Sequence, residues 1–389
     1  MNLPISLWRL VILLLALAPL GYYCAGILAT IRFFARERAK RLPDFTPPVS
    51  LLKPVRGIDF ASFENFTSFC NLDYPEYEIL FCVNDLSDPA VPFIERLIAQ
   101  FPHRKIRLLS GAQQSGSNRK VNNLILLTHE ARHEFVVQSD GDVRVGPGYL
   151  KEVVAPFADH AVGAVSCFYR GIAQKNLCAE LEAIGASSDF FGGALVADWK
   201  EGVTFALGAS VATTKSWLDK IGGYEALANL LADDYELGNR IHHAGGKVLL
   251  SREIVWTMYP TQTAMGFWRH QVRWARTVRF CRPASFIGLL FTHGLPWTVL
   301  AALVSPNLPL AVGYLLAYVV LRFSMAWTVG IWGIGDAVLR RKLWLIPLRD
   351  AIYFAVWCAS FMSNRVTWGD SQFKLQNGRM IEILPSKDS

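Results

Sequence analysis

The chain has 389 residues and a formal net charge of +7; 52% of its residues are hydrophobic and only 18% charged, against roughly 25% charged in soluble domains. That balance excludes an ordinary soluble protein, and because the basic residues cluster beside apolar runs, it also argues against a nucleic-acid partner. Seven scattered cysteines with no Cys-x-x-Cys spacing argue against zinc or a disulfide framework and read as reduced thiols.

Residues 10–31 carry no charge, and a helix of that length reaches ~33 Å, enough to cross a bilayer core. Only Arg9 precedes this run, whereas Arg32, Arg36, Arg38, Lys40 and Arg41 follow it. Residues 1–32 are therefore expected to be an anchor rather than a cleaved signal peptide, with the chain from Arg32 onward in the cytoplasm. Residues 47–282 read as an α/β domain. Strand-like runs at 49–52, 79–83, 106–109 and 135–138 alternate with helical spacing at 61–70, 92–101 and 122–129, which predicts a mostly parallel sheet. Beyond 142 the pattern is less regular, with helices expected at 150–157 and 177–191 and an amphipathic, arginine-bearing helix at 267–279. Residues 283–321 are again uncharged, and with Arg322 bridged the run extends to 335. It divides into two spans at Ser305-Pro306-Asn307-Leu308-Pro309. The apolar stretch 343–362 is interrupted by Arg349 and Asp350, so a span, a re-entrant hairpin and an interfacial helix all fit. The expected C-terminal membrane region is thus 283–363, with two or three spans, followed by a tail at 364–389.

The chemistry concentrates in acidic positions at strand ends. Asp85 ends the run 79–84, and Asp140-Gly141-Asp142 ends the run 134–139. Asp233-Asp234 precedes a helical pattern, and Arg273-Trp274 follows on the amphipathic helix. Carboxylates at the carboxyl ends of strands lie where open α/β sheets bind ligands, and an Asp-x-Asp pair offers hard oxygen ligands for Mg²⁺ or Mn²⁺ beside a diphosphate. Each feature also has a plainer reading. Asp85 can cap a helix, Asp-Gly is a turn signal, Asp233-Asp234 can complement a helix dipole, Trp274 can be an interface tryptophan, and Lys120 can be a solvated lysine. Their order on one domain favours a site in which Asp142 holds the metal and Asp140 the ribose or sugar. In that site Lys120 reaches the phosphates, Asp234 is the general base, and Arg273 steadies the departing diphosphate.

In this pattern the chain resembles the ceramide glucosyltransferases of family 21, with a GT-A fold. Three separated aspartate motifs and an arginine-tryptophan motif match Asp85, Asp140, Asp234 and Arg273-Trp274. Supporting likenesses run through Ser50-Leu51-Leu52-Lys53-Pro54-Val55-Arg56-Gly57, Leu72-Asp73-Tyr74-Pro75, Cys82-Val83-Asn84-Asp85 with Asp88-Pro89-Ala90, and Lys120-Val121-Asn122-Asn123-Leu124. The resemblance implies inverting transfer of a hexose, glucose foremost, from a UDP-sugar to the hydroxyl of a ceramide-like membrane lipid, with Mg²⁺ or Mn²⁺ as cofactor. It places Lys53, Asp85, Lys120 and Asp140 on the UDP-sugar, Asp142 on the metal, Asp234 as base, and Arg273 and Trp274 at the diphosphate and acceptor side. Two departures stand out. His270 occupies the place where the last motif has Gln or Arg, as it can in bacterial hopanoid glycosyltransferases that use a hopanoid alcohol and an N-acetylhexosamine. The fuller Asp140-Gly141-Asp142 implies stronger metal dependence. The expected setting is a multi-pass protein of a bacterial inner membrane with its catalytic domain in the cytoplasm. A processive polysaccharide synthase would need more spans, and a nucleotide-sugar-binding scaffold would bind without turnover.

Overall fold

The computed structural model describes residues 6–368, 371–376 and 378–383. They fall into two compact units. One comprises residues 6–36, 173–201 and 261–366; the other comprises 37–172, 202–260 and the described residues of 367–383. Residues 173–201 and 261–282, which the sequence reading put with the α/β domain, thus group with the apolar helices.

The α/β unit is built on strands β1 (Val49–Pro54), β2 (Tyr77–Val83), β3 (Lys105–Ser110), β4 (Phe135–Ser139), β5 (Val143–Arg144), β6 (Val162–Ala173), β7 (Ser210–Thr214) and β8 (Lys247–Tyr259). They form one sheet of order β3-β2-β1-β4-β7-β6-β8-β5. The first four strands are parallel, β1 lying between β2 and β4 with Leu51 opposite Ile79 and Val137. Every residue of β1 and β2 is buried, which explains their continuous apolar runs: parallel strands are covered on both faces. From β7 onward the order turns antiparallel, β7 pairing with β4 and β6. β5 is only two residues long and pairs antiparallel with β8. The segment 203–210, ambiguous in sequence, is mostly a loop that enters β7 at Ser210. A second sheet, of order β11-β10-β9, uses β9 (Arg365–Trp368), β10 (Ser371–Gln376) and β11 (Arg379–Glu382).

Among the described residues three helices are long and apolar enough to cross a membrane, at Leu7–Ala39, Leu308–Gly333 and Ala337–Ser360. The pair Pro283–Thr292 and Gly294–Val304 is bent by 48° and fits a broken span or a re-entrant loop. Asn307 forms the expected break: its side chain accepts the Leu310 N–H at 3.0 Å and starts the next helix. The charges inside the apolar stretches are paired. Arg322, 2% exposed, donates to Asp350 Oδ1 at 2.8 Å and also bonds Asp189, while Tyr318 donates to Asp350 Oδ2 at 2.8 Å. Close packing explains why residues 173–201 belong here. A Cβ on Gly192 would lie 2.3 Å from the Met325 side chain, and one on Gly185 would strike the Arg349 guanidinium; small residues let apolar helices approach this closely.

Candidate active site

In the α/β unit, the carboxyl ends of the parallel strands deliver the acidic residues, as open sheets of this kind require. Immediately after β4, the Asp140 N–H is held by the Ala209 carbonyl at 3.2 Å. Asp140 Oδ1 lies 2.7 Å from the Lys120 ammonium, which is also 3.4 Å from Asp233 Oδ2. Lys120 stands on the first turn of the helix Arg119–Glu130, whose N-cap is Asn118; the Asn118 side chain accepts the Val121 N–H at 3.1 Å. The Asn118 amide donates to the Leu230 carbonyl at 2.8 Å and to Asp233 Oδ1 at 3.4 Å. One asparagine thereby ties the lysine helix to the start of the helix Asp233–His243, where Asp233 and Asp234 occupy the first turn and complement its dipole.

Electrostatically this is one cation among three carboxylates. Burial pulls the Lys120 pKa down, but Asp140, Asp233 and Asp234 outweigh it and leave it well above the usual value. Burial, with repulsion from Asp233, pushes Asp234 up to about 6, Lys120 acting against it. A Cβ added to Gly208 would sit 2.5 Å from Asp234 Oδ2, so a glycine there makes room for that carboxylate.

Asp142 lies on the far side of the Asp-Gly turn, beside a cavity of about 140 Å³ lined among others by Val55, Arg56, Gly57, Asp59 and Phe66. Gly57, at φ +67°, shapes the loop after β1, and its N–H is held by both Asp88 carboxylate oxygens at 3.0 Å. Burial, followed by the charges of Asp140 and Asp59, raises the Asp142 pKa to about 7, with Lys53 opposing. Among the described residues no three His, Cys, Asp or Glu side chains form a ready metal cage. A divalent cation of the Mg²⁺ type, however, takes one or two carboxylates and completes its shell with phosphate and water. Asp140 and Asp142, partly buried and crowded with like charge, fit that donor set.

Two expected ligand residues sit differently. Lys53 is fully buried, with its ammonium over the Phe69 ring; it donates to the Asp140 carbonyl at 2.5 Å and to Ser139 Oγ at 3.4 Å. It therefore braces the Asp140 turn from within, and burial lowers its pKa to about 7. Asp85 is exposed and accepts the Ser87 N–H at 2.8 Å and the Ser87 hydroxyl. Those bonds hold its pKa below the usual carboxylate value. Among the described residues no hydrogen bond or ion pair joins Asp85 to the Lys120 cluster.

Arg273 and Trp274 belong to the helical unit, on the helix Ala264–Cys281. Burial lowers the Arg273 pKa to about 10, with Glu182 acting against it. Glu182 of the helix Leu177–Gly185 lies 2.5 Å from His270 Nδ1. Sequence reasoning missed Asp233, Asn118 and Glu182 as contributors. The first two carried a readable signal, since Ser-Asn before a helical run marks an N-cap and Asp233 adjoins Asp234. Glu182 carried none beyond an acid in an apolar helix.

A family model described as glycosyl transferase family 21 matches residues 11–381. Ceramide glucosyltransferase 1 of Caenorhabditis elegans is 28% identical over 262 residues, 65% of this chain and 55% of that protein. A ceramide glucosyltransferase of Komagataella phaffii is 31% identical over 152 residues, 38% of this chain and 28% of that one. The chain spans about half the length of the Caenorhabditis elegans relatives it matches. Among solved structures, the mannosyltransferase PcManGT from Pyrobaculum calidifontis, in complex with GDP-Man and Mn²⁺, aligns with a TM-score of 0.52 at 18% identity, covering 90% of this chain and 99% of that one. That likeness is one of fold, a GT-A-like α/β architecture.

Proposed function

The chain belongs to glycosyl transferase family 21, and from that premise we propose that it transfers a hexose, glucose foremost, from a UDP-sugar to the hydroxyl of a ceramide-like membrane lipid, with inversion at the anomeric carbon. The observation that carries this reading is the gathering of Lys120, Asp140, Asp233 and Asp234 at strand and helix ends of one unit, in a chain whose described residues include three helices apolar enough to span a membrane.

The proposed step needs a base, a charge-compensated donor side and a dry nucleophile. Asp234, raised to about 6, is ionised at neutral pH yet basic enough to take a hydroxyl proton as the bond forms. The acceptor oxygen bonds to the anomeric carbon from the face opposite the nucleotide, and the bond from that carbon to the diphosphate oxygen breaks with its electron pair leaving on UDP. Lys120 adds positive charge on the donor side while its ion pair keeps Asp140 in place. Mg²⁺ or Mn²⁺, held by Asp142 and Asp140, would neutralise the diphosphate. The cavity beside Asp142 is suited to part of the nucleotide. Lys53 serves by holding the Asp140 turn, Asp85 keeps the nucleotide-side role of its motif, and for Arg273 and Trp274 the diphosphate and acceptor-side role rests on the motif match. We place the α/β unit at the cytoplasmic face, where the basic segment after the first span puts it.

Purified protein, UDP-[¹⁴C]glucose and Mg²⁺ or Mn²⁺ are incubated with ceramide, and separately with UDP-N-acetylglucosamine and a hopanoid alcohol. The expected product is a monohexosylceramide, formed at least 10²-fold more slowly by Asp234→Asn. Product only on the hopanoid moves the acceptor, and a long polymer makes the chain a synthase. UDP binding without turnover on any acceptor removes the enzymatic reading, and full activity in Asp234→Asn removes the base.

A further inference from the structure

Glu182 is 3% exposed on the helix Leu177–Gly185, whose sequence Leu-Cys-Ala-Glu-Leu-Glu-Ala-Ile-Gly is otherwise largely apolar. A carboxylate buried in such surroundings is costly unless it is paired. Here it is paired within its own unit. Its Oε1 lies 2.5 Å from His270 Nδ1, and its Oε2 accepts from the Gln262 amide at 2.5 Å. Burial pushes the acid up, but His270, Gln262 and the nearby charge of Arg349 outweigh it and keep it below the ordinary value, so it is an anion at neutral pH.

What Glu182 holds is one face of the arginine-tryptophan motif. His270 is one helical turn before Trp274, and the two rings lie 4.8 Å apart at 58°. Arg273, next to Trp274, is more than half buried; burial lowers its pKa, and the charge of Glu182 opposes that only in part. The His270 ring, with its Nδ1 2.5 Å from this fixed carboxylate, is restrained on that side by its partner. One buried acid therefore lies against the first side chain of the His-x-x-Arg-Trp segment, whose ring packs on the last.

We infer that Glu182 is a positioning residue for Arg273-Trp274: it holds the His270 ring through Nδ1 and so sets the surface on which Trp274 rests. This deepens the proposed function and rests on Trp274 serving the lipid acceptor.

The test uses the full-length protein in lipid nanodiscs, with Glu182→Ala, Glu182→Gln, His270→Ala and His270→Gln. Lipid and sugar-nucleotide KM and kcat are measured for each variant that elutes as a single species. Glu182→Ala and His270→Ala should each raise the lipid KM about tenfold, with the sugar-nucleotide KM within twofold. The double alanine variant should lose no more than either single one, since both act through one contact. His270→Gln, which keeps an N–H donor toward Glu182, should recover most of what His270→Ala loses. A uniform fall in kcat with the lipid KM unchanged, or additive losses, overturns the inference. A readout independent of turnover is peptide-resolved hydrogen–deuterium labelling of the helix Ala264–Cys281. The peptide holding His270 and Trp274 should exchange at least threefold faster in Glu182→Ala than in the unaltered protein, and an unchanged rate overturns the pairing. If the unaltered protein glycosylates no lipid, the proposed function fails, and the labelling result still decides whether Glu182 holds His270.

Discussion

Asp234 is the residue on which a pH dependence can be argued. Its pKa, pushed up to about 6 by burial and by Asp233, means that the base is present above that pH and lost below it. Transfer should be level near neutrality and fall about tenfold per pH unit below pH 6, read from kcat/KM with the lipid acceptor; a rate that rises on acidification would sink the assignment. The same shift has the opposite sign for stability. An acid whose pKa is higher folded than unfolded binds its proton more tightly in the folded state, so its ionisation costs stability near pH 7, and the cost is relieved as pH falls through about 6 toward 4. Asp234→Asn should therefore be inactive yet at least as stable at pH 7.5, with a rise of roughly 2–4 °C in Tm if about 1 kcal/mol is relieved. At this scale residue type and spacing single out Asp140, Asp142, Asp234 and Lys120 as candidates, and the structure sets Lys120 within ion-pair distance of Asp140 and Asp233. The inward turn of Lys53 was not legible in the sequence, because a lysine after a strand reads the same whether its ammonium meets a ligand or a buried carbonyl.

At the scale of elements, two helix starts meet through a cap. Asn118 accepts from Val121 and donates to Leu230 and Asp233, so the lysine helix and the aspartate helix share one side chain. Asn118→Ala should cost about 1 kcal/mol for the lost N-cap. It should also lower kcat by more than the fraction of protein unfolded, since Lys120 and Asp233 lose a common support; denaturant melts beside initial rates separate the two effects. A kcat unchanged in the folded fraction would reduce Asn118 to a cap. The neighbouring contacts come from far along the chain. The Met380 N–H bonds the Asn229 carbonyl, and the Asn229 side chain accepts the Ser117 N–H at 3.1 Å. Strand β11, within the stretch expected only as a tail, thus braces the loop before Lys120. The first four strands were readable because parallel strands are continuous apolar runs. β5 and β7 were not, because a two-residue strand has no period and β7 follows a glycine-bearing loop.

On the scale of the molecule, charges within apolar helices mark where packing overrides composition. The stretch holding Arg349 and Asp350 left three arrangements open in sequence, and the structure makes Ala337–Ser360 a helix long enough to span. Asp350 is bonded by Arg322 and Tyr318. Removing one partner leaves a buried charge behind, so Arg322→Met should cost about 3–5 kcal/mol. The loss should appear as a lower folded yield in detergent on size-exclusion chromatography, and the pair Arg322→Met with Asp350→Leu should recover part of it. Equal yields for single and double variants would mean that the ion pair does not hold the helices.

The amino-acid order alone determined the family, the α/β character of the middle, the apolar helices and the identity of the acidic residues. All of these are written in local features: residue type, periodicity of two or 3.6, and short spacings. Only the tertiary structure decided which of those acids share a cation, that Asp233 and Asn118 belong with them, that Lys53 braces a turn, and that residues 173–201 pack with the apolar helices. Such outcomes depend on contacts between positions tens to hundreds of residues apart, and on the burial that sets each charge's energy, neither of which leaves a mark in the neighbouring sequence.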